Sequence, residues 1–440
     1  MRNLPALLRD PHGYRWAIFG VVSIIYFLAC LHRIAPTVIA QDLIEEFSAD
    51  ATALGVMASA YFYLYAAVQP PVGMLCDSLG PRAVTTIFAF IACVGVILFG
   101  LAPSMAMATA ARALVGIGVG GVFIPGVKIF SRWFRPTEFA GVTGVFLAFG
   151  NAGNLSASLP LTYLVLVLGW RASFWALGAF TLVMAVCAWV VLRDRPQDKG
   201  WPAVEQDPAQ EGETDALADA GTWKRLGMVL GRISFWMVTL SYFFFGAPSL
   251  TFQGVWAVPY LIDVQGCSRM TAGGLLMLMP LGFIIGAPLI GHLADRLSVG
   301  RKKVLLSSIV VGLACWCVFV AAAGEPPFTL IPPLFLLIGM CGGGSLSLYF
   351  TITKELFPSG LTGTAVGLMN PAAFLGTALF QPFTGYLMDL VGRVGDAYPV
   401  QAYQNMFIAA FISMLLGLMV LVPLRIPAEK TLASSAGKGA

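Results

Sequence analysis

Residues 73–82 read GMLCDSLGPR, and residues 291–303 read GHLADRLSVGRKK. Both stretches follow an apolar segment of membrane-spanning length and join it to the next apolar segment through a short charged turn. Gly73 and Asp77 of the first stretch recur in the second, each 218 residues later. A pattern that returns at one fixed distance predicts a duplicated unit, so we expect two related halves.

The composition indicates a protein embedded in a membrane. Of the 440 residues, 58% are hydrophobic and 11% are charged, and the mean hydropathy is +0.82. Soluble domains are about half apolar and about a quarter charged. The net charge of +4 is too small to predict a nucleic-acid surface. Arg2, Arg9 and Arg15 precede the first apolar segment and no small-residue cleavage site follows it, so we expect a retained signal anchor.

Apolar runs of about 20 residues, the length that a helix needs to cross hydrocarbon, fall into two sets of six. The first set lies near 15–40, 52–75, 83–103, 105–129, 139–166 and 171–192. The second set lies near 233–262, 271–294, 303–323, 328–353, 361–388 and 401–424. The sequence therefore predicts an all-α integral membrane fold of twelve transmembrane helices in two pseudo-symmetric six-helix bundles. The bundles are expected at 1–192 and 232–425, with a polar cytoplasmic linker at 193–231 and a cytoplasmic tail at 426–440.

Lysine and arginine are enriched in the cytoplasmic loops of membrane proteins. On one side of the predicted bundle they are frequent: Arg82, Lys128, Arg132, Arg135, Lys354 and Arg425. On the other side the loops carry only Arg171, Arg269 and Arg393. Both termini and the linker are therefore predicted to be cytoplasmic, and the short outer loops favour a bacterial inner membrane.

These motifs resemble those of the major facilitator superfamily over essentially the whole chain. The loop signature G-x-L-x-D-x-x-G-x-R/K is matched by Gly73, Leu75, Asp77, Gly80 and Arg82. The second copy keeps Gly291, Leu293, Asp295 and Arg296, with two extra residues before its last glycine. The fourth-helix motif R-x-x-x-G-x-G-x-G is matched by Arg112, Gly116, Gly118 and Gly120. The resemblance implies the major facilitator fold and a transport function, and it is almost silent on the cargo.

The charged turns are predicted to take part in gating. An aspartate at a cytoplasmic helix end can bind the amino terminus of a neighbouring helix or an arginine nearby. Breaking such a contact would allow the other state to form. The predicted gating residues are Gly73, Asp77, Arg82, Arg112, Gly291, Asp295 and Arg296. The alternative is that Asp77 and Arg82 only solvate a tight turn. The glycines of the fourth helix are expected to let helices pack closely.

The first apolar segment contains CLHRIAPTVIA at residues 30–40, with an arginine at its centre. At 1.5 Å per residue, Arg33 lies about 13 Å inside the outer end of the segment, where the next acidic residue is Asp42. A charge at that depth needs a partner or a water-filled cavity. If the helix stopped at Pro36, Arg33 would instead reach the outer interface. His32 points to a different side and is expected at a helix contact, with a proton site as the alternative.

Polar and aromatic side chains on other spans are expected to complete a cavity around Arg33. The predicted substrate-binding residues are Arg33, Tyr61, Tyr65, Asn151, Asn154, Gln253, Trp256 and Asn370. Further side chains of this kind are Tyr26, Gln69, Tyr242, Tyr349 and Gln381. Asn151 and Asn154 lie one helical turn apart, so their amides need partners on a neighbouring helix or on the substrate.

The seventh span places Gln253, Trp256 and Tyr260 on one helical face. Gln253 is expected at the cavity, whereas an aromatic belt at the membrane surface is the alternative for Trp256 and is favoured for Tyr260. Gly246 and Pro248 predict an interruption of this helix, and irregular backbone at such depth usually lies beside a cavity.

The charged residues expected inside the spans predict the class of solute. Arg33 and Arg112 are the only charged residues expected well inside the spans, and no carboxylate is expected at mid-membrane. This pattern argues against organic cations, bare metal ions and a proton relay through a buried acid. A positive cavity favours an anion held by guanidinium contacts.

The resemblance narrows the class of anion. GNAGN at 150–154 and GWRASF at 169–174 resemble the organic-anion and organophosphate branches of the superfamily. The seventh span lacks the basic residue of phosphate exchangers, and the eighth lacks the second arginine of nitrate carriers. Phosphate esters and nitrate are therefore disfavoured.

The predicted function is alternating-access transport of a small organic anion by a monomer in the lipid bilayer. No cofactor, metal site, nucleic-acid partner or enzymatic activity is expected, since no Ser-His-Asp, HExxH or phosphate-loop pattern occurs. The lack of a predicted buried acid is compatible with three modes of transport: facilitated flow, exchange for a counter-anion, and symport with a proton on the substrate or His32. The alternatives are a carrier of a metal chelate or siderophore and, from another class, a membrane receptor or assembly protein that does not transport.

Overall fold

The computed structural model describes residues 10–202, 222–296 and 300–425, which are helical and contain no β-strand. Eleven helices in these ranges are long and apolar enough to cross a membrane: α1 (Pro11–Phe47), α2 (Ala51–Ser78), α3 (Pro81–Leu101), α4 (Met105–Trp133), α6 (Trp170–Val191), α7 (Ile233–Asp263), α8 (Arg269–Ala294), α9 (Arg301–Ala321), α10 (Phe328–Leu356), α11 (Leu361–Asp389) and α12 (Val400–Leu421). Thr137–Ser156 and Leu159–Leu168 meet at 44° and together form the twelfth span, α5. The predicted membrane fold is confirmed. Every predicted helix end lies within four residues of the observed one, except the end of α1.

The repeated turn has one backbone geometry in both halves. Gly80 precedes α3 with φ 81° and ψ 149°, and Gly300 precedes α9 with φ 84° and ψ 145°. A side chain at this positive φ would be strained, which explains the glycine in each copy. The two extra residues of the second copy come before Gly300, so the turn itself is preserved. This agreement supports the internal duplication that the sequence predicts.

Two helices are irregular at related positions. Residues Ala35–Ile39 of α1 form a 3₁₀ segment, and Phe252–Trp256 of α7 form a π-helical segment. The repeat distance of 218 residues relates residues 35–39 to residues 253–257, and this range is offset by one residue from the π segment. The two segments contact each other across the halves. Such irregular turns are frequent at functional sites. The sequence predicted an interruption of α7, and it lies just beyond Pro248 rather than at it.

The two halves are tied together on the side opposite the termini, here called the outer side. Asp389 at the end of α11 accepts hydrogen bonds from the backbone amides of Ala51 (2.9 Å) and Thr52 (2.7 Å) at the start of α2. The hydroxyl of Tyr398 donates to the same carboxylate at 2.7 Å. Burial, and then Asp389, raises the pKa of the Tyr398 phenol, which therefore stays protonated as a donor. A carboxylate of one half thus caps a helix of the other half.

Two further acidic residues form contacts between the halves beside this cap. Asp42 of α1 forms an ion pair with Arg269 of α8, whose Nη2 also donates to the Val38 carbonyl at 2.5 Å. Gln41 donates from Nε2 to Asp263 at 2.9 Å. These contacts and the Asp389 cap together form what we call the outer seam.

At the inner ends of the helices, on the side of the termini, several polar contacts stay within one half. Lys128 pairs with Asp77 in the first half, and Arg301 pairs with Glu355 in the second. Lys302 donates from Nζ to the Leu424 carbonyl at 2.6 Å, again within the second half. The strongest ties between the halves described above therefore lie on the outer side.

The predicted linker begins as a packed segment. Trp201 contacts Tyr14 and Trp133 of the first half, with ring centroids 5.3 Å and 6.2 Å apart. Lys199 places its ammonium 4.1 Å from the centre of the Tyr14 ring, and burial lowers its pKa. A short helix, Thr222–Leu230, then leads into α7. The intervening residues 203–221 and the predicted tail at 426–440 lie outside the described residues.

Candidate functional site

Arg33 lies between the two halves, near the break in α1. Its guanidinium carbon is 5.6 Å from the ring centre of Tyr65 on α2 and 5.2 Å from that of Phe374 on α11. The residue is partly exposed, and its Nε is buried without a hydrogen-bond partner. Within the described ranges, no acidic residue forms an ion pair with it. The arginine therefore keeps hydrogen-bonding capacity for a group that enters this space.

Aromatic rings from both halves surround the guanidinium. Tyr61 and Tyr65 stack at 6.0 Å with an interplanar angle of 9°. Phe374 lies edge-on to Tyr65 at 4.8 Å and parallel to Phe62 at 6.2 Å. The Tyr61 hydroxyl is buried without a partner among the described groups. We call Tyr61, Phe62, Tyr65 and Phe374 the aromatic cluster. Two of its rings, those of Tyr65 and Phe374, hold the Arg33 guanidinium by cation–π contact.

Arg112 on α4 is fully buried and holds α1 in place. Its Nη1 donates to the His32 carbonyl at 2.8 Å, and its guanidinium carbon lies 4.8 Å from the ring centre of Tyr61. In an α-helix the His32 carbonyl would bind the amide of residue 36, but Pro36 has no N–H. Arg112 supplies the missing donor. The gating role of Arg112 remains a prediction.

His32 turns away from Arg33. Its Nε2 lies 3.1 Å from the hydroxyl of Thr181 on α6, inside the first half, and the residue is buried. The Nδ1 atom has no partner among the described residues. The residue therefore makes a helix contact in this conformation, and the proton site remains a prediction.

The two asparagines of α5 lie near α1. Asn151 donates from Nδ2 to the Leu147 carbonyl at 3.1 Å, within its own helix. Asn154 has a buried Oδ1 without a partner in the described part of the chain. Between them, Gly153 packs against the backbone of Phe27 on α1. Asn154 thus has free hydrogen-bonding capacity, whereas Asn151 is satisfied locally.

In the second half, the predicted site residues have different surroundings. Gln253 is partly exposed in the π segment. Trp256 is fully buried and donates from Nε1 to the hydroxyl of Thr384 at 3.0 Å. Asn370 is partly exposed at the break in α11, one turn before Phe374. Gln253 and Asn370 therefore border the interface of the halves, whereas Trp256 lies in the packed interior.

Tyr260 is fully buried, and its hydroxyl donates to the Gly324 carbonyl at 3.1 Å. The favoured assignment of Tyr260 to an aromatic belt at the membrane surface is therefore wrong. Its polar tip is satisfied inside the second half, so it needs no contact with the membrane interface.

The predicted gating residues of the first turn bind within their own half. Asp77 is exposed and pairs with Lys128. Arg82 donates from Nη2 to the Trp189 carbonyl at 2.7 Å, and its backbone amide donates to Asp194 at 2.7 Å. Asp194 therefore caps the start of α3. Asp194 lies 112 residues after Arg82 in the sequence, so no local pattern points to this cap.

The remaining gating predictions have few contacts. No atom would meet a side chain at Gly73, and the nearest atom at Gly291 is the Ser347 hydroxyl at 4.0 Å. Arg296 is exposed. The side chain of Asp295 lies outside the described residues. The gating roles remain predictions.

The fourth-helix glycines pack as the sequence predicts. A methyl group at Gly116 would collide with the Tyr61 backbone, and one at Gly118 with the Ala92 backbone. At Gly120 it would meet the Val68 side chain. Small residues here let α4 approach α2 and α3 closely, so the packing interpretation of these glycines is confirmed.

Comparisons with known proteins agree with this architecture. The family model described as Major Facilitator Superfamily matches residues 22–380, with a second, overlapping match at 268–439. A protein of Cupriavidus necator named "Probable sulfoacetate transporter" is 27% identical over 391 residues, which cover 86% of this chain and 88% of that protein. The hexuronate transporter of Escherichia coli K12 is 26% identical over 397 residues, covering 88% and 90% of the two chains.

A solved structure shares the fold. The crystal structure of a bacterial homologue of the human lysosomal transporter Spinster superposes with a TM-score of 0.73 at 19% identity. The match covers 93% of this chain and 95% of the other. At this identity the likeness concerns the arrangement of helices alone.

Proposed function

The chain belongs to the Major Facilitator Superfamily, and on this premise we propose that it carries a small organic anion across the membrane by alternating access. Transport of small molecules through a membrane is the activity of the family and of the named relatives. The chain is accordingly a transporter and not an enzyme. The anionic cargo and the alternation of the halves are the proposed part.

The observation that carries the proposal is the unpaired guanidinium of Arg33 between the halves. It stacks on a ring of each half, and no acidic residue within the described ranges neutralises it. A carboxylate in that space would gain charge-assisted, bidentate hydrogen bonds where water is scarce. Gln253, Asn370 and Asn154 are the amides proposed to complete the site, with Tyr61 and Tyr65.

The relatives support the same class of cargo. Sulfoacetate and hexuronate, for which the two relatives are named, are both organic acids. Neither name refers to a metal chelate, so the siderophore alternative receives no support. The non-transporting receptor receives none either, because both relatives are named as transporters.

The outer seam supports alternation. Its bonds join side chains of one half to helix ends and side chains of the other half. We propose that these bonds break when the site opens to the outer side, while the inner ends close. Asp77, Arg82, Asp295 and Arg296 are the proposed contributors at the inner side.

The test is a ligand-dependent thermal shift on the purified protein, with Arg33→Ala and Arg33→Lys beside wild type. The library holds monocarboxylates, sugar acids, sulfonates, phosphate esters, amino acids and ferric chelates. We expect an organic anion to raise the melting temperature of wild type, to do so weakly in Arg33→Lys, and not at all in Arg33→Ala.

Arg195→Ala is the matched control, because its side chain is 65% exposed and pairs with Asp198 in the linker. It should respond as wild type does. Equal shifts in wild type and Arg33→Ala would make Arg33 structural and remove the main support for an anionic cargo. A shift with ferric chelates alone would favour the siderophore alternative.

A further inference from the structure

Gln381 on α11 carries an amide that nothing in the described part of the chain satisfies. The residue is fully buried, and both its Oε1 and its Nε2 lack a hydrogen-bond partner. Burying one such polar group without a partner costs about 1–3 kcal/mol. Buried unsatisfied polar groups are rare in native proteins, and two on one side chain call for an explanation such as a bound molecule.

The other buried polar side chains on this stretch of α11 have partners. Thr377 donates to the Ala373 carbonyl at 2.8 Å, within the helix. Thr384 donates to the Phe380 carbonyl at 2.9 Å and accepts from Trp256. The unsatisfied amide is therefore a property of Gln381 and not of a poorly packed region.

Gln381 shares a helical face with the aromatic cluster. It follows Phe374 by seven residues, which is about two turns or roughly 10 Å along the axis on nearly the same side. Because α11 runs outwards, the amide lies on the outer side of Arg33. A solute that bears its charge at Arg33 would extend along α11 to reach this amide.

Glycines of both halves let the neighbouring helices pack closely against Gln381. A Cβ atom on Gly254, in the π segment of α7, would lie 3.6 Å from Nε2 of Gln381. A Cβ atom on Gly55 of α2 would lie 2.5 Å from the Gln381 carbonyl oxygen. The residue thus sits where α2, α7 and α11 converge under the outer seam, and opening the seam would expose it to the outer side.

We propose that Gln381 is a specificity-determining residue that binds hydroxyl groups of the solute, so that the transporter prefers hydroxylated carboxylates to plain ones. This inference rests on the proposed function, in which Arg33 holds the carboxylate. An amide offers both a donor and an acceptor, as a hydroxyl does, so one side chain can bind two neighbouring hydroxyl groups. A plain alkyl chain would leave the amide unsatisfied, and such mismatches discriminate strongly.

The experiment measures binding of gluconate and hexanoate to the purified full-length protein by titration calorimetry. The two probes share a six-carbon chain and one carboxylate, and they differ in their hydroxyl groups. We expect wild type to bind gluconate at least tenfold more tightly. In Gln381→Leu, gluconate should lose about tenfold or more in affinity, while hexanoate binds as before.

Stability separates a ligand role from a structural one. Removal of an unsatisfied buried amide should leave the melting temperature of the ligand-free protein unchanged or raise it. Gln381→Met, which is closer in shape, should show the same loss of gluconate affinity and guards against a packing defect in the leucine variant.

The matched control is Gln265→Leu, since Gln265 donates to Tyr260 (3.3 Å) and to the Pro326 carbonyl (3.2 Å) away from the centre. This variant should melt at a lower temperature and keep the preference for gluconate.

Several results would overturn the proposal. Unchanged affinities in Gln381→Leu, or equal binding of the two probes by wild type, would refute the role of Gln381 and leave the anion site intact. A lower melting temperature with an unchanged preference would make Gln381 structural. If neither probe binds wild type while no other organic acid stabilises it, the proposed function fails as well.

Discussion

Two of the carbonyl groups that lose their helical donor to a proline inside the membrane are each bound by a side chain from another helix. Pro36 cannot donate to His32, and Arg112 does so instead at 2.8 Å. Pro248 cannot donate to Phe244, and Ser413 of α12 donates to that carbonyl at 2.8 Å. In hydrocarbon an unpaired backbone group is costly, so these two side chains stabilise the irregular turns beside Pro36 and Pro248.

This pairing predicts the effect of replacing Arg112. Arg112→Leu should leave the His32 carbonyl without a donor and lower the free energy of unfolding by about 1–3 kcal/mol. The measurement is the melting temperature followed by tryptophan fluorescence, which should fall. The second substitution Pro36→Ala restores an amide in the same helix, so the double variant should recover part of the loss. If the double variant is no more stable than Arg112→Leu, the carbonyl is not what Arg112 protects.

At the residue scale, the sequence predicts which charges are buried and not what they touch. Arg33 and Arg112 stood out because charges are rare inside apolar segments. Phe374 and the His32 carbonyl could not be named as their partners, since apolar rings and backbone atoms carry no distinctive signal. The placement of His32 against Thr181 depends likewise on how α1 and α6 rotate against each other.

At the scale of elements, α4 shows how the halves are built. Its glycines bring the backbone of α4 into contact with the backbones of α2 and α3. The close approach to α2 sets the position of Tyr61, whose ring lies against the Arg112 guanidinium. The packing of α4 therefore affects the candidate site through one aromatic ring, that of Tyr61.

Gly116→Ala should separate α4 from α2 and lower the melting temperature by several degrees, because the added methyl meets the Tyr61 backbone. Gly144→Ala on α5 is the control, since nothing lies within 4 Å of a Cβ atom there. Alanine also favours a helix over glycine by up to about 1 kcal/mol, so the control should be neutral or slightly stabilising. Equal effects in both variants would show that helix propensity, not close packing, decides.

The bounds of the elements were largely predictable, because apolar length and charged turns define them. The irregular segments were less so. Pro36 signalled a break in α1, yet α1 continues through a 3₁₀ segment to Phe47. The π segment of α7 contacts that 3₁₀ segment across the halves, and a local pattern cannot reveal such a contact.

At the scale of the whole molecule, the proposed alternation depends on the outer seam. Asp389 binds two backbone amides at the start of α2, which otherwise has only Asp50 of its own half as a cap. Of the seam acids, Asp42 was recognisable in the sequence as the acidic residue at the outer end of the first apolar segment. Their pairing across the halves was not, because it depends on how the bundles face each other.

Asp389→Asn should weaken the seam, since an amide binds the two backbone N–H groups less strongly than a carboxylate. We expect the amides near Ala51 and Thr52 to exchange with deuterium roughly tenfold faster, which corresponds to about 1.4 kcal/mol, measured by mass spectrometry of peptides from the start of α2. Asp396→Asn, in the loop after α11, is the control and should leave exchange unchanged. Unchanged exchange in Asp389→Asn would mean that the cap does not hold the seam closed.

Arg33 has no ion-pair partner in the described ranges, and this has an electrical consequence for a carrier of anions. Once a monoanion binds, the site is neutral, and its passage between the two sides involves no net charge. The empty site carries a full positive charge, and moving one charge through a potential of 100 mV takes about 2.3 kcal/mol. In the proposed carrier, a potential negative on the inner side would therefore hold the empty site turned inwards. It would slow the return of the empty site to the outer side and leave one-for-one exchange of anions unchanged.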